Sequence, residues 1–170
     1  ADKIPLQVSE SAVQGRKDFR KLLTVTIDGD TAKDFDDAIS VEQTADGGFI
    51  LYVHIADVSE YVKQGGAIDR EAYERGTSIY LPDKVIPMLP ERLCNGICSL
   101  VPDEDRLTLT VCLTYDKKGN LIDKSFYKSI IRSFKRLTYK KVQAALDGDP
   151  DIKEEYKTVL PMLKTARRLK

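Results

Sequence analysis

The first regular pattern in the chain is Leu22-Leu23-Thr24-Val25-Thr26-Ile27, an alternating run of the β type that ends on Asp28. Gly29 and Asp30 turn the chain, and Phe35, Ala38, Ile39 and Val41 resume an apolar pattern. Residues 38–44 and 49–56 predict two strands joined by Thr44-Ala45-Asp46-Gly47-Gly48, a sequence with hairpin-turn chemistry. In the second strand Phe49, Leu51, Val53 and Ile55 share one face and Ile50, Tyr52 and His54 the other, which implies burial within a sheet. Ser59 is placed to cap a short helix over Glu60-Tyr61-Val62-Lys63, and Gly65-Gly66 ends it. Residues 67–75 predict a charged helix with Ile68, Ala72 and Tyr73 facing inward. A short apolar strand follows in Gly76-Thr77-Ser78-Ile79-Tyr80-Leu81-Pro82. Prolines 82, 87, 90 and 102 then exclude long elements, apart from a short helix near 91–94.

Leu107, Leu109, Val111 and Leu113 alternate with Thr108, Thr110, Cys112 and Thr114, the clearest half-buried strand in the chain. Asp116-Lys117-Lys118-Gly119-Asn120 turns it back into residues 121–131. Thr138 is placed to cap a helix reaching Leu146, with Tyr139, Val142 and Leu146 on one face. Asp149-Pro150 starts a last helix in which Ile152, Tyr156, Val159, Leu160, Leu163 and Ala166 repeat, with a kink or break at Pro161. That helix runs to Lys170 without a stop signal, the pattern of a chain cut within an element. The expected fold is α+β: a mainly antiparallel sheet built from hairpins, with helices packed on it.

Composition narrows the class. With 170 residues, 42% hydrophobic and 32% charged, the chain can bury a core, and one domain is expected. No run approaches the roughly 18 apolar residues of a membrane span, and Ala-Asp-Lys-Ile-Pro does not begin a signal peptide, so a cytoplasmic address is expected. Cys94, Cys98 and Cys112 form no CxxC pair, and one histidine makes no zinc set; they read as buried thiols. Residues 1–115 carry 12 basic and 20 acidic side chains, whereas residues 116–170 carry 15 and 7. Such a division suits a nucleic-acid enzyme, with cations for phosphates beside carboxylates for a metal; lysines and arginines facing water would give it too.

The chemistry is concentrated in residues 28–37, where Asp28, Asp30, Asp34, Asp36 and Asp37 crowd five carboxylates into ten positions pinned between two core-bound segments. They repel one another, and Lys33 cannot neutralise them all, whereas a hard divalent ion can. Oxygen-only ligation suits Mg²⁺ or Mn²⁺. Asp-Gly-Asp is also ordinary turn chemistry. An EF-hand is excluded, because Lys33 and Ile39 stand where that loop needs Gly and Glu. An aspartyl-nucleophile phosphatase motif fits Asp28 and Asp30 loosely and leaves the other three unexplained. His54, beside Ile50 and Tyr52, reads as a hydrogen-bonded core residue rather than a general base.

The spacing Asp28-x5-Asp34-x-Asp36-Asp37, within Thr24-Val25-Thr26-Ile27-Asp28-Gly29 and followed by Ala38-Ile39, closely resembles the catalytic domain of the ribonuclease II and ribonuclease R family. The resemblance extends through His54-Ile55-Ala56-Asp57-Val58-Ser59, Arg75-Gly76-Thr77-Ser78-Ile79-Tyr80-Leu81-Pro82, Pro87-Met88-Leu89-Pro90, Leu93-Cys94-Asn95-Gly96-Ile97-Cys98-Ser99-Leu100 and Arg136-Leu137-Thr138-Tyr139. It is nearer to the ribonuclease R branch and runs from about Arg16 to the end. The resemblance implies processive 3′-to-5′ hydrolysis of single-stranded RNA to nucleoside 5′-monophosphates, with Mg²⁺, or Mn²⁺, as cofactor. Asp28, Asp34 and Asp37 are then the candidate ligands of the metal or its waters. Asp36 is the candidate catalytic carboxylate; it falls on the opposite face if 34–37 is regular strand, so either a bend gathers all four or Asp36 serves substrate and attacking water. Tyr80 is expected to stack on the 3′-terminal nucleotide, and Tyr139 reads either as a second RNA contact or as core.

In that family the catalytic domain is longer, is flanked by small RNA-binding barrel domains, and supplies a further arginine and glutamate from its C-terminal half. The expected organisation is therefore a lead-in over 1–15 and, over 16–170, the N-terminal portion of a catalytic domain, truncated and with little or no activity alone. Two other readings stand beside it: a non-catalytic RNA- or metal-binding module, and a metal phosphatase acting on small molecules.

Overall fold

The structure, a computed structural model, describes residues 4–149, 151, 156 and 158–167. Ser9 caps a single helical turn, α1 (Glu10–Val13), and Gly15 turns the chain at φ 75°. The strands β1 (Lys17–Asp18), β2 (Thr24–Asp28), β3 (Asp37–Gln43) and β4 (Phe49–Ala56) follow. After a 3-10 turn (Val58–Glu60) come α2 (Ala67–Arg75), the hairpin β5 (Ile79–Tyr80) and β6 (Val85–Ile86), and a π-helical segment (Arg92–Ile97). β7 (Asp105–Tyr115), β8 (Leu121–Arg132), β9 (Lys135–Thr138), α3 (Tyr139–Asp147) and α4 (Leu160–Ala166) complete the order.

Seven strands form one sheet in the order β1-β8-β7-β4-β3-β2-β9, and β5-β6 pair separately. The hairpins behave as their turn residues predict, and the interior pairs are antiparallel. Both outermost pairs, β1 with β8 and β2 with β9, are parallel, so the sheet is mixed rather than simply hairpin-built. Only Ser133 and Phe134 separate β8 from β9, although they stand five places apart in the sheet. Five strand spacings are about 24 Å and three residue steps reach about 10 Å, so the sheet must curl until its margins approach. The Phe134 N–H bonds to Thr24 O at 2.8 Å where they meet.

The curl buries the threonine face of β7. Thr108 and Thr110 are buried, while on the other face Leu107 is buried, Val111 and Leu113 are half-buried and Leu109 is 43% exposed. Short hydroxyl side chains fit the inside of a curled sheet and can satisfy one another there. A row of contacts crosses five strands: Thr24 Oγ1 to Ser40 Oγ at 2.7 Å, Ser40 Oγ to His54 Nε2 at 3.0 Å, His54 Nδ1 to Thr110 Oγ1 at 2.7 Å, and Thr110 Oγ1 to Ser129 Oγ at 2.6 Å. His54 is therefore a core residue, and burial lowers its pKa to about 4, so it is neutral near pH 7. Phe19, Phe35, Tyr52, Leu93, Ile97 and Leu100 fill the adjoining core. A second cluster lies on the outer face, where Val25 and Leu137 pack under Ala145, Leu160 and Leu163 of the two C-terminal helices.

Other local differences have simple causes. Arg16, whose place after Gln14 and Gly15 in the sequence reads as an exposed connection, is instead buried: its guanidinium, 4% exposed, bonds Asp57 at 2.7 Å and Glu60 at 2.8 Å and ties the lead-in to the end of β4. Ser59 caps nothing, because its hydroxyl donates to Asp57 Oδ1 and the helical turn starts one residue earlier. Tyr73 is 89% exposed and faces away from the core. Of the kink or break expected at Pro161 the structure shows a break: residues 158 and 159 are turn, and Pro161 stands in the first turn of α4, where its missing N–H has no helical partner to lose. Ile152 and the helix end at Lys170 lie outside the described residues. Among the described residues no helix is long and apolar enough to cross a membrane.

Candidate functional site

β2 ends on Asp28, in register beside Thr138 at the end of β9. Residues 32–36 have no regular structure, and β3 begins only at Asp37, opposite Ile55. Phe35 between them is buried in the inner core. In extended backbone its neighbours Asp34 and Asp36 turn the other way, outward. The irregular stretch settles the parity question left by the spacing: Asp28, Asp34, Asp36 and Asp37 all line one cleft of about 700 Å³. Its far wall comes from Ser78, Tyr80, Lys84 and Val85 of the β5-β6 hairpin and from Cys94 and Asn95 of the π-helical segment, an element often found at functional sites. Cys94 is thus only partly buried, whereas Cys98 is fully buried and its thiol is pushed up to about 12.

Tyr80 is 68% exposed at the rim, and its hydroxyl donates to Asp34 Oδ2 at 3.4 Å, leaving the ring accessible. Tyr139 is 65% exposed, so the core reading fails for it. It follows Thr138 and lies beside the aspartate loop without lining the cleft. The fifth aspartate, Asp30, turns away to Lys140 Nζ at 3.1 Å.

The carboxylates are poorly compensated. Desolvation, then Asp37, raises the Asp28 pKa, and the nearby Thr26 hydroxyl and Arg136 guanidinium offset this only in part. Asp36 meets water on the open side of the cleft but is walled elsewhere, so desolvation, then Asp34 and Asp37, raises its pKa too. Asp28 Oδ2 is buried with no hydrogen-bond partner among the described residues. An orphaned carboxylate oxygen among like charges fits a hard cation. Among the described residues no three His, Cys, Asp or Glu side chains form a ready-made cage. The donor set therefore fits an ion held by one or two carboxylates, with water and phosphate oxygens completing its shell, as Mg²⁺ prefers.

These shifts have a definite sign. A carboxylate whose pKa folding raises stabilises the metal-free fold most at acid pH and loses that contribution as pH rises through the folded value. A divalent ion needs the ionised form, so its affinity should rise with pH over that range, with proton release. Calorimetric titration with Mn²⁺ at pH 5 and pH 7.5 should give tighter binding at the higher pH. At a hundred times the dissociation constant the metal should stabilise the fold by about 2.7 kcal/mol. Asp28→Asn should remove most of that gain; equal affinity at both pH values, or in the variant, would count against the assignment.

Two residues that the spacing did not single out shape the cleft. Arg136 donates through Nη2 to Gly29 O and Asp30 O and lies over the Phe35 ring at 5.5 Å, so it holds the loop after Asp28. Ser99 lies beneath the loop that carries Asp34. Both stand more than sixty residues from the aspartates they serve, and their only signal in the sequence was membership of the resembling blocks.

Comparison with known proteins bears on this cleft. The RNB domain model matches residues 16–170. Ribonuclease R of Thermotoga maritima is 51% identical over 169 residues, which are 99% of this chain and 24% of that protein. The chain thus spans about a quarter of that relative's length. Mycoplasma genitalium RNase R, solved in complex with double-stranded RNA, superimposes with a TM-score of 0.82 at 35% identity over 98% of this chain and 31% of its own. Yeast Ssd1, described as a pseudonuclease, shares the fold with a TM-score of 0.80 at 21% identity, over 96% of this chain and 20% of its own. The fold alone therefore does not carry the chemistry.

Proposed function

Because the chain belongs to the RNB domain family, we propose that it forms the aspartate-bearing part of the active site of a 3′-to-5′ exoribonuclease. The substrate is single-stranded RNA, the product nucleoside 5′-monophosphates and the cofactor Mg²⁺, replaceable by Mn²⁺. The observation that carries this reading is the gathering of Asp28, Asp34, Asp36 and Asp37 in one cleft with an exposed tyrosine at its rim. The names and RNA complexes of the relatives support the substrate class.

Asp28, Asp34 and Asp37 would hold the metal, one or two of them directly and the rest through its waters, and Asp36 would orient the attacking water or the terminal nucleotide. When bound, the ion supplies an acidified water and charge stabilisation at the scissile phosphate. Tyr80 presents its face to the 3′-terminal base, a contact worth about 1–3 kcal/mol that tolerates any base. Its bond to Asp34 couples where the base stops to where the carboxylates stand. Lys84 on the far wall offers a cation to a phosphate. Tyr139, beyond the cleft, would meet the RNA further along.

The chain spans about a quarter of ribonuclease R of Thermotoga maritima. It is expected to bind metal and RNA weakly and, alone, to release little or no mononucleotide. The test is mononucleotide release from 3′-end-labelled single-stranded RNA in Mg²⁺ or EDTA. It should be run on this chain and on Thermotoga maritima ribonuclease R carrying this chain in place of its matching stretch. Silence from the chain and Mg²⁺-dependent release from the chimera is the expected result. Robust release from the chain alone would overturn the expectation of low activity; a folded chimera that binds RNA without cleaving it would favour a non-catalytic binding module.

A further inference from the structure

Asp34 and Asp36 occupy a stretch that makes no ladder of its own until Asp37, yet each peptide group around them is held from outside. The Ser99 hydroxyl donates to Lys33 O at 2.9 Å and accepts from the Phe35 N–H at 3.1 Å. Those are the two peptide groups flanking Asp34. The Leu100 N–H donates to Phe35 O and the Ala56 N–H to Asp36 O, both at 2.9 Å, and these are the two peptide groups flanking Asp36. Ser99 is itself fixed: it is wholly buried, its N–H bonds Gly96 O at 3.1 Å, and its carbonyl accepts from Arg106 Nε of β7 at 2.8 Å.

We propose that Ser99 is a positioning residue for the aspartate cleft, one hydroxyl that clamps both peptide groups of Asp34 and so sets where its carboxylate stands against Asp28, Asp36 and Tyr80. Asp36 is placed by backbone, which substitution cannot remove; Asp34 depends on a side chain. The same segment supplies Cys94 and Asn95 to the far wall, so a single bracket sets both sides of the cleft. A hydroxyl is required because it must donate and accept at once, which no apolar side chain of that size can do. The inference rests on the metal-binding reading for its functional consequence but not for the clamp itself.

The test compares Ser99→Ala with Thr24→Val, which removes a buried hydroxyl of the inner row away from the cleft. In metal-free protein, hydrogen exchange at the Phe35 amide, taken relative to the β4 amides, should lose its protection in Ser99→Ala and keep it in Thr24→Val. Mn²⁺ affinity, read by water-proton relaxation, should weaken by about ten- to a hundredfold in Ser99→Ala, the usual cost of losing a ligand-orienting partner, and stay unchanged in Thr24→Val. Ser99→Cys, with a weaker donor and acceptor, should fall between, and it replaces Ser99→Ala if that variant does not fold. Undiminished protection at Phe35 would overturn the clamp. A freed Phe35 amide with unaltered Mn²⁺ affinity would overturn its role in positioning. Failure of the parent chain to bind Mn²⁺ would defeat the metal reading while leaving the exchange result to decide the clamp.

Discussion

Asp36→Asn in the ribonuclease R chimera is expected to lower mononucleotide release by about 10³-fold, the upper range for removing one group that acts on developing charge. RNA should be retained as well as by the parent or better. The substitution preserves shape and removes only charge, and the Asp36 pKa is already raised by desolvation and then by repulsion from Asp34 and Asp37. Taking one negative charge from that cluster relieves the others and favours an approaching phosphate, so binding has no reason to weaken. Single-turnover release and equilibrium filter binding separate the two effects. Activity within a factor of ten of the parent would remove Asp36 from the reaction, and a parallel loss of RNA affinity would make it a binding residue.

Arg16→Met is expected to destabilise the fold by about 3–5 kcal/mol, read as a lower denaturation midpoint with an unchanged slope. The reason is what it leaves behind: the Asp57 side chain is wholly buried and would lose its cation. Burial alone would raise the Asp57 pKa, but the Ser59 hydroxyl and the Arg16 guanidinium outweigh it and hold the carboxyl below its usual range. Folding that lowers a carboxylate pKa gives stability that is present above the unfolded value and lost as pH falls through the folded one. The parent should therefore lose this contribution in acid. Adding Asp57→Asn to Arg16→Met should recover much of the loss, because the double variant buries no unpaired charge. A single variant within 1 kcal/mol of the parent, or no recovery in the double, would show that the pair does not lock the lead-in to the sheet.

The pairing of strands and the nature of the candidate site were readable to different degrees. β2, the β3-β4 hairpin and the β7-β8 hairpin follow from alternation and turn residues, both of which are local. The buried face of β7 could not be read the same way. Alternation of Leu and Thr says that two faces differ, and the usual preference assigns the leucines to the core. The curl of the sheet buried the threonines as well, by creating a narrow interior that small hydroxyl side chains fill, and left Leu109 exposed while Leu107 stays in the core. The parallel edge strands were equally hidden, because β2 meets β9 across more than a hundred residues and β9 itself is only four residues long.

For the candidate site, the sequence by itself supplied the candidate groups: four aspartates at fixed spacing after a strand, too many carboxylates for one lysine, and the family blocks around them. Composition and spacing are properties of the chain and survive any fold. Only the tertiary structure decided that Asp36 joins the other three, that Tyr139 stands outside the cleft, and that Ser99 and Arg136 hold the loop. Those outcomes depend on which distant backbone groups a stretch without its own hydrogen-bond ladder can reach, and that is set only once the sheet has curled and brought β9 and the segment around Ser99 against residues 29–36.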